Sequence, residues 1–91
     1  MNSKTTGPAM SQKIFSMNLE VETVSLYLLC CAVADAGAPI TDRTLQEKWN
    51  GSPETLEIQL DLLEKKNIIG RQTDKEMEEN VYRMMDEKKW R

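Results

Sequence analysis

The sequence predicts a mainly α-helical domain in which three helices are closed by a small β-hairpin, and three observations carry that prediction. Between Pro39 and Ile69 the start and stop signals of two helices follow one another closely: Thr41 and Ser52 stand at cap positions, Pro53 at a first helical position, Asn50-Gly51 and Asn67 at turns. Apolar residues before Gly37, and again from Leu56 to Leu63, recur at helical spacing. Ile68-Ile69, placed just after Asn67, then reads as the start of a strand.

The segment Met1 to Ser16 holds Asn2, Ser3, Thr5, Thr6, Gly7 and Pro8 without sustained periodicity, so residues 1–16 are expected to form a flexible tail and residues 17–91 the folded domain. Met10 is a second candidate start, and the nine residues before it are given no functional weight. Ile14 and Phe15 are the exception in the tail, two apolar residues placed to staple onto the helix that follows.

The first helix is expected to start at Asn18 as its cap, to carry Glu20 and Glu22 where the helix dipole favours acids, and to stop at Gly37. Two apolar stripes run along it. Val24, Tyr27, Leu28 and Cys31 form one, and Leu26, Leu29, Cys30 and Val33 form the other on the opposite side. One stripe faces the domain's core. The second needs cover, either from a second copy of the chain, which makes Leu26, Leu29, Cys30 and Val33 a candidate dimer interface, or from the chain's own terminal segments.

After the extended Ala38-Pro39-Ile40, Thr41 caps a second helix from Asp42 to Trp49 with Leu45 and Trp49 on its inner face. Asn50 and Gly51 are expected to make the next turn in left-handed backbone angles. Ser52 and Pro53 open the third helix, Leu56, Leu60 and Leu63 hold its core stripe, and Asn67 ends it in the left-handed conformation. Beyond Gly70 two readings stay open. In one, residues 72–79 are a polar loop and Val81 to Met85 a returning strand; in the other, Met77, Val81, Met84 and Met85 form a helical stripe with Glu79 and Arg83 paired one turn apart.

Composition narrows the function. Ninety-one residues make one small domain with a modest core. Twelve basic against fifteen acidic side chains leave a net charge of −3, so no global positive field draws the chain to phosphate or anionic lipid. There is no basic-then-apolar leader, and the longest near-apolar run, Leu26 to Ala34, falls well short of the roughly 20 residues a membrane span needs, which points to the cytoplasm. Cys30 and Cys31 read as small buried apolar side chains. Neighbouring thiols about 100° apart on a helix, in a chain without histidine, make a poor zinc set. No glycine-rich phosphate loop, nucleophile beside a base or distinctive carboxylate pair is present, so the chain reads as non-catalytic and without a cofactor.

From Ile40 onward the chain resembles the winged helix-turn-helix domains of bacterial transcriptional regulators. The resemblance is carried by Ile40-Thr41, Leu45, Ser52-Pro53-Glu54-Thr55-Leu56, Leu60, Leu63, Asn67-Ile68-Ile69 and Tyr82-Arg83-Met84, over about fifty residues. It favours the hairpin over the helix after Gly70. It also implies that the third helix presents Ser52, Glu54, Thr55, Glu57, Ile58, Asp61 and Leu62 outward, where regulators place side chains that read base edges in the major groove.

Here the chain departs from the pattern, because Glu54, Glu57, Asp61 and Glu64 stand against only Lys65 and Lys66 at the far end of that helix. Acids without compensating cations are repelled by phosphates. Ile58 and Leu62, ringed by Glu54, Glu57 and Asp61, form instead an apolar centre with a charged rim, the usual build of a protein-binding patch. The sequence therefore points to a regulatory module acting by self-association, as a homodimer, and by docking a protein partner. The alternative is a DNA-binding regulator using Arg43, Arg71, Lys75, Lys88 and Lys89, with Trp90 either stacked on a base or packed on the core.

Overall fold

Three α-helices and a three-stranded antiparallel sheet form the fold, in the order α1 (Val21–Asp35), β1 (Ile40–Thr41), α2 (Asp42–Lys48), α3 (Pro53–Lys65), β2 (Ile69–Asp74) and β3 (Glu79–Met84). This agrees with the mainly helical class with a small β component. The computed structural model of the chain describes residues 10–76 and 78–91. The expectation of a flexible tail over residues 1–9, and Met77 in the alternative helical stripe, lie outside the described residues.

The tail expectation changes before residue 16. Gln12–Ser16 forms a short 3-10 turn with Ser11 as its cap, and Ile14 is fully buried while Phe15 points outward. Asn18 is not the cap of α1. It takes a left-handed φ of 59°, and Glu20 holds the cap position without a side-chain bond. Asparagine can offer a capping oxygen or tolerate a positive φ, and the sharp exit from the 3-10 turn uses the second property. Gly37 ends α1 as expected, at φ 80°, with the amides of Gly37 and Ala38 donating to the carbonyls of Ala34 and Val33.

The chain itself covers most of both stripes of α1 and leaves Val24 and Leu28 half-buried. Leu26, Cys30 and Val33, three of the residues expected at a dimer interface, are buried in the core, and Leu29 is half-buried against it. The opposite side is closed by the terminal segments: the Ser11 amide donates to the Tyr27 hydroxyl at 2.7 Å, and Trp90 meets the Tyr27 ring edge-on with centroids 5.5 Å apart. Such an edge-to-face pair adds to the burial of both rings. A helix apolar on both sides thus becomes the centre of the fold.

Thr41 caps α2 by accepting from the Thr44 amide at 3.1 Å, and Leu45 is fully buried. Trp49 lies just past the helix in an extended conformation, half-buried, with its indole N–H donating to Thr55 Oγ1 at 3.1 Å. Neither Asn50 nor Gly51 adopts the expected left-handed angles. Gly51 is required for space instead, because a Cβ there would lie 2.8 Å from both Trp49 Nε1 and Thr55 Oγ1. Ser52 caps α3 by accepting from the Thr55 amide at 3.2 Å, Pro53 occupies the first turn, and Asn67 leaves the helix at φ 61°.

The segment after Gly70 is a hairpin. Its strand order with β1 is β1-β3-β2, and Ile40 pairs with Tyr82 while Arg71 pairs with Tyr82 from the other side. β2 continues to Asp74, into the stretch expected as loop, because Arg71 to Asp74 find antiparallel partners in Glu79 to Tyr82. Among the described residues no helix is long and apolar enough to cross a membrane.

Candidate functional site

The outward face of α3 assembles most of the expected partner-binding patch. Leu56, Gln59, Leu60 and Leu63 turn inward and are buried, which by helical geometry turns Glu54, Glu57, Ile58 and Asp61 out to solvent. Ile58 is 56% exposed, a large apolar side chain with acids on its rim. Leu62 is half-buried and stands at the edge of the patch.

Arg71 on β2 reaches across to this face. Its Nη2 lies 2.8 Å from Glu57 Oε2 and 3.2 Å from Asp61 Oδ1, and its Nε lies 3.6 Å from Glu64 Oε1. The guanidinium also sits 5.4 Å from the Tyr82 ring centroid, within cation–π range. Burial works against its charge, but the Tyr82 oxygen and the carboxylates of Glu57 and Glu64 outweigh that and raise its pKa further. Tyr82 in turn donates to Asp42 Oδ1 at 2.6 Å, which ties the hairpin to the start of α2. Burial first, and then Asp42, push the Tyr82 hydroxyl pKa upward, so it remains a donor.

Arg71 was a candidate contact for nucleic acid on sequence grounds. The structure turns it toward the carboxylates of α3 instead. The other four candidates are exposed: Arg43 on α2, Lys75 in the hairpin turn, and Lys88 and Lys89 in a second 3-10 turn, Glu87–Lys89. Arg43 and the hairpin are close, since the Arg43 amide donates to Glu79 Oε1 at 3.2 Å. Lys89 lies elsewhere, beside the end of α3, where its carbonyl accepts from Asn67 Nδ2 at 3.1 Å. Trp90 packs on the core and its indole N–H donates to the Met85 carbonyl.

A second surface was not singled out in the sequence. Phe15 and Val21 are 60% and 81% exposed, and with Leu19, Val24 and Leu28 they line an open, largely apolar groove of about 480 Å³. The available signal was the Val21, Val24, Leu28 spacing on α1, but Val24 and Leu28 read as core because nothing local distinguishes a rim from an interior stripe.

Cys30 and Cys31 are free and buried, and burial raises the Cys30 pKa to about 12 and that of Cys31 in the same direction. Both are thus neutral thiols packed as small apolar groups. Among the described residues no group of three or more histidine, cysteine or acidic side chains is placed to hold a metal ion. No family model, curated protein or solved structure matches the chain.

Proposed function

We propose that the chain is a non-catalytic winged helix-turn-helix module that acts in regulation through protein–protein contacts, by pairing with its own copy and by docking a partner. The order helix, short strand, helix, turn, helix, hairpin supports the architecture. Two free thiols fit a reducing, cytoplasmic setting.

The observation that carries the reading is the outer face of α3. It offers acids around an exposed isoleucine, and the arginine nearest to it on the hairpin is spent on those acids. A face of that charge is repelled by a phosphate-lined groove and suits a protein surface. Self-association is assigned to the groove of Phe15, Val21 and Leu28, since Leu26, Cys30 and Val33 are occupied in the core.

Sedimentation velocity tests the pairing. The wild-type chain is expected to sediment as a dimer at micromolar concentration and Val21→Glu, changed at an 81% exposed position, as a folded monomer. Two identical profiles would remove the groove from the account. The competing reading, a DNA-binding regulator, draws on the exposure of Arg43, Lys75, Lys88 and Lys89.

A further inference from the structure

We infer that the acidic face of α3 is a docking site for an arginine-bearing protein segment with an apolar anchor, and that Arg71 is the chain's own displaceable occupant of that site. The inference rests on the protein-binding reading of α3 and names the chemistry of the partner.

Charge complementarity is the first argument. Glu54, Glu57, Asp61 and Glu64 share one face of α3, and a single guanidinium meets the last three of these four acids. Three negative charges therefore remain for an incoming cation. The carboxylates are also within reach, since the side chains of Glu57, Asp61 and Glu64 are 54%, 51% and 42% exposed.

The manner in which Arg71 sits is the second. One nitrogen, Nη2, serves both Glu57 and Asp61, while the buried Nε makes no hydrogen bond and stays 3.6 Å from Glu64. The site thus accepts a guanidinium, yet Arg71, tethered on β2, leaves part of its donor capacity unused. An untethered arginine can align its fork with one carboxylate in two parallel bonds, which lysine cannot do. Ile58, beside Glu54, Glu57 and Asp61 on the same helix face, supplies the apolar contact that makes the segment more than a diffuse counter-ion.

Competition gives the inference a specific signature. If Arg71 must leave before the partner's arginine enters, removing it strengthens binding by the inverse of the fraction of time that the site stands open. That is about threefold to tenfold if Arg71 is seated for roughly 70 to 90% of the time. Any lost cation strengthens binding somewhat through the general field, so the comparison is with Arg83→Gln, an equal charge change on the exposed Arg83 of the same hairpin.

The probe is a fluorescein-labelled synthetic helical peptide carrying two arginines one turn apart beside a leucine, titrated by anisotropy into the full chain. Arg71→Gln is expected to bind at least about threefold tighter than Arg83→Gln, and Glu57→Gln with Asp61→Asn to bind more weakly than wild type. Equal effects of the two arginine variants would overturn the displacement. Absence of peptide binding up to millimolar concentration would overturn the docking site, while sedimentation would still report on the self-association reading independently. Should Arg71→Gln fail to fold by circular dichroism, the Arg71 side-chain NMR signal of the wild-type chain decides: it must shift as peptide is added, and an unmoved signal at saturation overturns the proposal.

Discussion

Thr23 and Gln59 meet inside the core, where Thr23 Oγ1 donates to Gln59 Oε1 at 2.6 Å and both residues are buried. The bond joins α1 to α3 in a place that water does not reach, so its loss strands the Gln59 amide. Thr23→Val is expected to lower unfolding free energy by about 1–3 kcal/mol, and Thr23→Val with Gln59→Leu to recover much of it, because the stranded group is then gone. Urea denaturation of the three proteins checks this, and an additive double variant would contradict it. Titration offers a second test at the same scale. Burial raises the Cys30 pKa from 9.0 to about 12 and that of Tyr27 from 10.0 to about 12. Above pH 9 the unfolded chain therefore loses protons that the folded chain keeps, and stability must fall as pH rises. Thermal denaturation should show a steady midpoint at neutral pH and a decline from about pH 9 toward 12. A flat profile would mean that these groups are not held away from water.

The turn between α2 and α3 shows what local sequence can and cannot settle. Ser52, Pro53, Thr41 and Asn67 behave as their types suggest, because a cap, a helix start or a left-handed exit is decided within one turn of chain. Gly51 was also legible as necessary, but for the wrong reason. A glycine can supply a positive φ or an empty space, and only the neighbours, here Trp49 and Thr55, reveal which. Gly51→Ala is accordingly expected to break the Trp49 indole bond to Thr55 and to destabilise the fold by about 1–3 kcal/mol, within the usual range for forced overpacking. Tryptophan fluorescence and thermal melting would show both effects, whereas a neutral Gly51→Ala would mean that the turn has slack. Asn18 taught the same lesson from the other side, as a residue with two uses of which the fold took the second. The length of β2 was illegible for a different reason: Arg71 to Asp74 are polar and become strand only through Glu79 to Tyr82, their partners across the hairpin.

At the scale of the whole molecule, the apolar circumference of α1 was readable and its cover was not. Periodicity shows that two sides need burial, but it does not say whether the cover comes from another copy or from the terminal segments, which here bury Ile14 and bring Trp90 onto Tyr27 of α1. The core closes in cis, which moves the candidate pairing surface to Phe15, Val21 and Leu28. The acidic, isoleucine-centred face of α3 was legible directly, since helix periodicity placed Glu54, Glu57, Ile58 and Asp61 together. The reach of Arg71 onto it was not, because that contact depends on the hairpin folding back. The central claim is that this face meets protein and not nucleic acid. Titration of a fluorescent random-sequence DNA duplex with the full chain, at low and at physiological salt, tests it most directly. The account predicts no binding at micromolar protein at either salt, and micromolar binding at low salt that fades steeply as salt rises would contradict it.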